Sequence, residues 1–311
     1  MSEIELHRQL LGDTVRNDAF AAALKRVVKP GAVVADIGAG TGFLSFLARR
    51  LGAKACHLYE YTPAIELAQA LARRNGIDGL TFVQAHSTQV RQPPKADVVV
   101  SETLGNFALE EGLLETLADA RRFLKPGGKL LPRALREFVA PVTSPRLQRE
   151  VDVWAAIGHG LDFAEAREFG LNNMYVKLVR PDDLPGEKIA ATWDEIEFDG
   201  KDKPTAPRHG EARWNATQLN GAAVHGFALW WEIELAPGIT LSTSPYALAT
   251  HWQQVYLPLL EPLHPAAGES IEIALKSDTR KGVRLVWEAC ARKAGGKPRG
   301  AQRLDLLRGR L

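Results

Sequence analysis

The sequence predicts two domains: an α/β domain built on a parallel sheet, followed by a domain of antiparallel strands with a helical insertion. Up to residue 132, short apolar runs alternate with stretches of helical periodicity, which is typical of β-α-β units. Beyond that point, short β-like runs follow one another with turn residues between them. A glycine-rich turn lies between the first strand and its helix. We therefore expect one domain over residues 1–132 and a second over residues 133–311.

The composition indicates a globular protein. The 311 residues are 45% hydrophobic and 24% charged, with a net charge of +2, which gives no indication of nucleic-acid binding. No apolar run is long enough to span a membrane, and the first residues lack the pattern of a signal peptide. Cys56 and Cys290 lie in apolar stretches, which favours a reducing compartment. We expect a cytoplasmic protein without nucleic-acid or membrane partners.

The first predicted element is a helix over residues 7–28, ended by Pro30 and Gly31. Its apolar residues recur at helical spacing, whereas Asp13 and Arg16 lie off the apolar stripe. For these two residues a solvated surface pair is the simplest interpretation. A functional role would need a second motif that faces them.

A strand over residues 33–37 leads directly into the glycine turn. Asp36 lies near the end of this strand, and a helix begins at Phe43. A dinucleotide-binding fingerprint would have glycine at position 43, so the Phe at this position argues against it. The spacing of Gly38, Gly40 and Gly42 is instead that of S-adenosylmethionine (SAM) methyltransferases. A tight turn without a ligand is the alternative.

Polar residues follow the next two predicted strands. Glu60 comes about 20 residues after the glycine turn, where an acidic side chain can bind both ribose hydroxyls. His86 and Ser87 follow the third strand, in a loop that could border an adenine. An exposed loop histidine is the simpler interpretation of His86.

The loop over residues 101–111 contains two glutamates. Glu102 directly follows the β-branched strand 96–100, and open α/β sheets bind ligands at such strand ends. Glu111 lies nine positions further on. No His or Cys cluster accompanies them, so a metal site is disfavoured, whereas a guanidinium with five donors fits two carboxylates. The alternative is a helix cap at Glu102 and an exposed helix residue at Glu111.

The second half of the chain reads as an antiparallel sandwich or barrel. Its β-like runs cover residues 137–141, 189–198, 221–235, 270–275 and 283–288. Residues 146–184 differ in pattern and are too long for a loop, which indicates a helical insertion or an arm contacting another subunit. His251 and Trp252 follow at a turn. A structural histidine is the simpler interpretation, but His251 could move a proton and Trp252 could form the wall of a cation site.

In this order and at these separations, the motifs resemble the protein arginine methyltransferase family. The resemblance runs from residue 7 to the C-terminal β region. It rests on the N-terminal pattern His7, Leu10, Leu11, Asp13 and Arg16, the glycine motif at 36–42, Glu60, the double-Glu loop at 101–111, the segment 242–245 and Thr250-His251-Trp252.

The resemblance implies a Rossmann-like SAM-binding domain joined to a β-barrel, with residues 146–184 as the dimerisation arm of a homodimer. It implies SAM as the cofactor, no metal, and an arginine in a protein, a peptide or the free amino acid as the acceptor. The implied catalytic residues are Glu102, Glu111, Asp13 and His251. The implied cofactor-binding residues are Arg16, Asp36, Gly38, Gly40, Gly42, Glu60, His86 and Ser87. Asn106 and Trp252 are the implied substrate-binding residues.

The sequence also departs from the family pattern. The chain starts only a few residues before His7, so we expect the family's N-terminal helix over SAM to be absent or replaced. Thr103 and Asn106 stand where the family commonly has bulkier residues, which leaves the acceptor and the methylation product open. Two alternatives remain: a SAM-dependent methyltransferase of another small molecule, and a SAM-binding dimeric scaffold without turnover.

Overall fold

The computed structural model describes residues 3–200 and 205–310. Its first half is a five-stranded parallel sheet in the order β3-β2-β1-β4-β5. The strands are β1 (Val33–Ile37), β2 (Ala55–Glu60), β3 (Leu80–Gln84), β4 (Ala96–Ser101) and β5 (Leu124–Leu131). Because the chain moves outward from β1 to β3 and then returns to the other side of β1, the strand order reverses between β1 and β4. Ligands bind at such a switch point, outside the carboxyl ends of the strands.

Helices pack on the parallel sheet and complete its core. They are α1 (Glu3–Gly12), α2 (Thr14–Val27), α3 (Phe43–Arg50), α4 (Ala64–Arg74) and α5 (Leu113–Ala120). The middle of β4, residues 98–100, is fully buried, as expected of a parallel strand covered on both faces. The Ser101 hydroxyl donates to the Ile37 carbonyl at 2.9 Å and joins the ends of β4 and β1. This contact fixes the starting point of the loop that begins at Glu102.

The N-terminal helix is two helices rather than the single one expected over residues 7–28. Asp13 separates them, with extended backbone angles of φ −82° and ψ 95°. Its carboxylate accepts a hydrogen bond from the Arg16 N–H at 2.9 Å and caps α2. The apolar periodicity continues through the break, so it could not reveal the cap. The break turns α1 relative to α2 and places α1 over the end of the parallel sheet.

The second half of the chain forms two antiparallel sheets. The six-stranded sheet has the order β7-β12-β10-β6-β8, with β11 paired to β10, and the four-stranded sheet has the order β15-β14-β13-β9. The strands are β6 (Ala134–Val142), β7 (Tyr175–Lys177), β8 (Ala191–Glu197), β9 (Arg208–Asn215), β10 (Val224–Ala236), β11 (Ile239–Ser242), β12 (Gln254–Leu263), β13 (Glu269–Asp278), β14 (Arg284–Lys293) and β15 (Arg299–Asp305). Within the described residues the sheets do not close on one another, so barrel is only a loose description of this half. The peptide bond between Leu131 and Pro132, where the two halves meet, is cis.

β12, which lies beside the long central strand β10, was not among the predicted strands. Pro258 and Pro262 interrupt its pattern, and a proline cannot donate to a sheet ladder. β7 pairs with β12 only over residues 254–256, whereas Pro258 lies opposite Gly226 of β10. The first proline therefore falls where β12 has lost its pairing with β7, and the strand tolerates it.

Residues 146–184 contain two short helices, α6 (Arg146–Val151) and α7 (Ala164–Leu171), and the strand β7. Arg146 binds the Asp183 carboxylate, which joins the two ends of this segment. Several large apolar side chains remain exposed on it: Val153, Leu161, Phe169, Val176 and Leu178. In the described part of the chain, no helix combines the length and the apolar character needed to cross a membrane.

Candidate active site

A cleft of about 500 Å³ opens at the carboxyl ends of β1, β2 and β4. Its walls come from the glycine turn, from α1 and α2, and from the loop after β4. This is the switch point of the parallel sheet, where a ligand site is expected. Seven of the predicted site residues line the cleft: Arg16, Asp36, Gly38, Gly40, Glu60, Glu102 and Glu111. Gly42 does not line it, but its neighbours Thr41 and Phe43 do.

Helix α1 covers the glycine turn closely. A Cβ at Gly40 would lie 2.8 Å from the Cε1 atom of His7, and the φ angle of Gly40 is +51°. A side chain at this position would therefore meet both steric contact and backbone strain. Leu6, His7 and Leu10 of α1 also line the cleft. Residues 3–12 therefore cover this end of the sheet. The family's N-terminal helix over SAM was expected to be absent or replaced in this place.

Two acidic residues at strand ends support the turn. The Glu60 carboxylate accepts hydrogen bonds from the Gly40 N–H at 3.0 Å and the Thr62 N–H at 2.8 Å. Asp36 lies beneath the turn, where its carboxylate accepts from the Ser45 N–H and hydroxyl at 3.1 and 2.7 Å. Burial raises the pKa of Asp36 to about 6, with Ser45 acting in the opposite direction. Asp36 is 1% exposed, so it supports the turn and the start of α3.

Glu102 and Arg16 form a buried ion pair between the loop and α2. The Arg16 Nε donates to the Glu102 Oε2 at 2.9 Å, and its Nη2 contacts the same oxygen. Both side chains are less than a tenth exposed. The second carboxylate oxygen of Glu102 accepts from the Leu104 N–H at 3.2 Å. These contacts hold the Glu102 carboxylate in one orientation.

Glu111 lies across the same cleft and differs from Glu102 in its electrostatics. Burial, followed by the negative charges of Glu102 and Glu110, raises the pKa of Glu111 to about 7. More than a third of the residue nevertheless remains accessible, because it faces the open cleft. The neighbouring carboxylates of Glu102 and Glu110 oppose a third negative charge at Glu111. A cation between Glu102 and Glu111 would relieve this repulsion.

Asp13 and His251 form a second pair beside the cleft. The Asp13 Oδ2 contacts the His251 Nδ1 at 2.7 Å and also accepts from the His251 backbone N–H at 2.9 Å. Burial would raise the pKa of Asp13, but the hydrogen bonds from Arg16 and His251 outweigh it and lower that pKa. An ionised Asp13 keeps the proton on Nδ1, so Nε2 is the nitrogen that can accept a proton.

Trp252 and Asn106 brace the double-Glu loop. Trp252 is 2% exposed, and its indole N–H donates to the Leu104 carbonyl at 2.6 Å. The Asn106 side-chain amide donates to the Trp252 carbonyl. Trp231 of β10, which the sequence did not single out, donates its indole N–H to the Gly105 carbonyl at 3.2 Å. Trp252 was expected to form the wall of a cation site; its indole N–H binds the loop backbone, and its contact with an acceptor stays a prediction.

His86 and Ser87 lie apart from the other predicted residues. The Ser87 hydroxyl donates to Asp119 at 3.0 Å, and the exposed His86 contacts the Thr88 hydroxyl at 2.8 Å. Neither is among the described residues that line the cleft. Their contact with a cofactor stays a prediction. Tyr61 does line the cleft, with its ring 6.1 Å from the His86 ring, and the position after Glu60 could have pointed to it.

The cleft matches SAM in the chemistry of its walls. Arg16 provides a cation for a carboxylate, Glu60 provides acceptors for a ribose diol, and the glycine turn allows a ligand close to the backbone. Glu102 and Glu111 add two carboxyl groups to the same cleft. Across residues 3–200 and 205–310, no group of three or more His, Cys, Asp or Glu side chains is arranged to bind a metal.

Comparisons with known proteins agree with this fold. The profile of a methyltransferase domain matches residues 28–158, and that of the arginine methyltransferase oligomerization subdomain matches residues 136–285. The chain is 31% identical over 274 residues to protein arginine N-methyltransferase 6 of Xenopus tropicalis, covering 84% of this chain and 79% of that protein. It is 31% identical over 276 residues to the arginine N(omega)-methyltransferase of Streptomyces achromogenes subsp. streptozoticus, covering 86% and 75%.

Solved structures show the same fold. The enzyme-prozyme complex of Trypanosoma brucei PRMT1 with AdoHcy superposes with a TM-score of 0.83 at 23% identity, covering 97% of this chain and 98% of that one. Arabidopsis thaliana protein arginine methyltransferase 10 superposes with a TM-score of 0.81 at 20% identity, covering 96% and 97%.

The parallel sheet, its glycine turn and the matching domain profile define a SAM-dependent methyltransferase. The similarity to proteins of known activity extends over both halves of the chain, including the oligomerization subdomain. The chain belongs to the protein arginine methyltransferase family.

Proposed function

We propose that this protein methylates a guanidino nitrogen of arginine, in a protein, in a peptide or as the free amino acid. The observation that carries the proposal is the pair Glu102 and Glu111, which line one cleft at the switch point of the sheet. Two carboxylates can bind a planar guanidinium through several of its five donors. The relatives named above act on arginine, which supports the same acceptor here.

The proposed roles of the two glutamates follow from their environments. A free guanidinium is a poor nucleophile because it is protonated and its lone pairs are delocalised. Glu102, held by Arg16, would orient the acceptor, and Glu111 would lose its proton as the cation enters. Bound SAM would supply an electrophilic methyl group, and its sulfur would leave as a neutral thioether. Most of the rate enhancement would come from aligning one acceptor nitrogen with that methyl group and from stabilising the positive charge of the acceptor.

A proton must leave the acceptor nitrogen when the new N–C bond forms. Asp13 and His251 are the proposed relay, because Asp13 keeps the proton of the imidazole on Nδ1. Nε2 would then accept the proton directly or through water. The same Asp13 carboxylate caps α2 at Arg16, so the relay and the Arg16–Glu102 pair depend on one residue.

The cofactor would be held by Arg16 at its carboxylate and by Glu60 at its ribose, with Gly38, Gly40 and Gly42 allowing the backbone to approach. Asp36 would act through the turn that it supports. His86 and Ser87 remain proposed neighbours of the adenine. Asn106 and Trp252 would act on the substrate through the loop that they brace.

The test is mass spectrometry of the purified protein with SAM, offering free arginine and an arginine-rich peptide in parallel. We expect a mass increase of one or two methyl groups on at least one acceptor, with fragmentation that places them on the guanidino group. A lysine-containing peptide of the same length is the control. Methylation of neither arginine compound, with SAM bound, would contradict the proposal and favour another acceptor or a scaffold without turnover.

We also propose a homodimer in which the arm, residues 146–184, packs on the methyltransferase domain of a second copy. The arm exposes five large apolar side chains, including Phe169 at 42%. A separate apolar groove of about 230 Å³ lies on α3 and α4, between Phe46, Leu47 and Leu71 among others. Exposed apolar patches of this kind mark interaction sites.

Light scattering after gel filtration tests the dimer. The wild-type protein should have twice the mass of one chain, and Phe169→Asp should yield monomer because it places a charge in the apolar contact. Leu248→Asp, which changes an exposed leucine outside the arm and the groove, should leave the dimer intact. A monomeric wild-type protein would contradict this assembly.

Two further proposals concern the organisation and location of the protein. We propose a domain boundary at residues 132 and 133, supported by the change from the parallel sheet ending at β5 to the antiparallel sheet beginning at β6. We also propose a cytoplasmic protein without nucleic-acid partners, because Cys56 and Cys290 are free and buried and the net charge is small. Limited proteolysis and cell fractionation test these two proposals.

A further inference from the structure

The double-Glu loop contains a third carboxylate, Glu110, to which the proposed reaction assigns no role. Its side chain folds back over the loop, and its Oε1 accepts a hydrogen bond from the Asn106 N–H at 2.8 Å. Gly105 leaves the space that this side chain occupies. A Cβ at Gly105 would lie 2.0 Å from the Glu110 Cγ and 2.4 Å from its Oε1. Glu110 is therefore packed against the loop backbone and is only partly exposed.

Glu110 closes the segment that leads to Glu111. Its own N–H donates to the Phe107 carbonyl at 2.9 Å, while its carboxylate binds the N–H of Asn106. These two bonds close residues 106–110 into one compact turn. The β domain holds the preceding residues through Trp231 and Trp252, but Glu110 makes the internal contact directly before Glu111. The position of Glu111 therefore depends on this turn.

The charge of Glu110 also acts on Glu111. It is the third cause of the raised pKa of Glu111, after burial and the charge of Glu102. Burial raises the pKa of Glu110 itself, opposed by the N–H groups of Asn106 and Phe107. The other charged or titratable groups at this cleft come from separate elements: His7 of α1, Arg16 of α2, Asp36 of β1, Glu60 of β2, Tyr61 directly after β2 and, beside the cleft, the Asp13–His251 pair.

We propose that Glu110 is a positioning residue of the site: its carboxylate braces the loop that carries Glu102 and Glu111 and places a further acidic side chain next to Glu111. Glu111 is then held partly protonated until a cationic acceptor arrives. The two glutamates that would bind the acceptor cation therefore differ: Glu102 is paired with Arg16, whereas Glu111 has a raised pKa. The proposal rests on the proposed function for its catalytic meaning, but not for its physical test.

Carboxyl-carbon NMR of protein labelled at glutamate side chains tests the charge effect without turnover. Glu111 is assigned by the loss of its signal in Glu111→Gln. In the wild-type protein it should titrate near pH 7. In Glu110→Gln, which retains the acceptor oxygen and the shape, the Glu111 titration should move down by about 0.3 pH unit or more. Glu115→Gln is the matched control, because Glu115 is exposed on the following helix and should leave the titration unchanged.

The pH profile of kcat/KM tests the same effect in the reaction. The acid limb should move with the NMR titration in Glu110→Gln, giving about a twofold higher relative rate at pH 6. A Glu111 titration that is identical in wild type, Glu110→Gln and Glu115→Gln would overturn the proposal. A shifted titration in a protein that methylates no arginine compound would support the role of Glu110 and refute the proposed function instead.

A double-mutant cycle of Gly105→Ala and Glu110→Ala tests whether the Glu110 side chain braces the loop. Gly105→Ala alone should lower kcat about tenfold, because the new methyl displaces the Glu110 side chain. In the Glu110→Ala background the space is open, so Gly105→Ala should cost less than about twofold. Equal losses in both backgrounds would show that Glu110 does not brace the loop. Thermal unfolding of each variant confirms that the loss is confined to the site.

Discussion

Replacing Glu102 with Gln removes one negative charge from the centre of the proposed acceptor site. Gln retains the size of the side chain and the oxygen that accepts from the Leu104 N–H. It loses the ion pair with Arg16 and the charge that would face a guanidinium. Glu102 is 6% exposed at its side chain, so water compensates this loss poorly. The variant therefore tests charge with little change in shape.

The expected loss of transition-state stabilisation in Glu102→Gln follows from these contacts. A buried hydrogen bond to a charged group contributes roughly 1.5–3 kcal/mol, and a bidentate guanidinium loses more than one such bond. A loss of about 3–4 kcal/mol in the transition state corresponds to a fall of roughly 10²–10³ in kcat/KM. SAM affinity should change less than about fivefold, because Arg16 remains in place to bind the cofactor carboxylate.

The assay measures initial rates of methyl transfer to the acceptor identified by mass spectrometry, with SAM affinity from calorimetry. Glu115→Gln is the control for the loss of an acidic side chain from the same region. Thermal unfolding of both variants separates a folding defect from a catalytic one. A Glu102→Gln rate within about fivefold of the wild-type rate would refute the two-carboxylate reasoning, because a neutral amide would then hold the acceptor as well.

Three other predictions concern groups with distinct electrostatic environments. Asp13→Asn should retain the cap of α2 and the unfolding midpoint but lower kcat roughly 10- to 100-fold, because a neutral amide does not fix the proton of His251 on Nδ1; unchanged kcat would contradict the relay. Since Glu111 must be ionised to bind a cation and its pKa is raised to about 7, kcat/KM should rise with pH through that value, as a rate profile from pH 5.5 to 9 would show. Burial, followed by the charge of Asp194, raises the pKa of Glu137 well above its usual 4.5, so folding takes up a proton and stability falls as the pH rises above that value. Glu137→Gln should therefore raise the unfolding free energy at pH 8 by roughly 1–3 kcal/mol and flatten its pH dependence in urea titrations; a less stable variant at pH 8 would contradict this.

Much of the first half could be predicted because its signals are local. A run of β-branched residues such as 98–100, which is buried in the structure, predicts an inner strand of a parallel sheet. The spacing of the glycines after β1 predicts the turn. The second half was predicted less completely. β12 contains two prolines. Whether it can lie in the sheet depends on where its pairing with β7 ends, and no local sequence pattern indicates that position. Strand spacing left a sandwich or a barrel open, because sheet closure depends on which edges meet; the barrel was what the family resemblance implied.

The sequence by itself determined the two-domain order, the position of Glu102 at a strand end and the motifs of the site, because short-range periodicity and spacing encode these features. Only the tertiary structure decided that Asp13 breaks the first helix and meets His251, that Arg16 pairs with Glu102, and that indoles hold the loop between the glutamates. These contacts join residues far apart in the chain. Packing between elements determines which residues meet, so the burial pattern along one element cannot reveal these contacts.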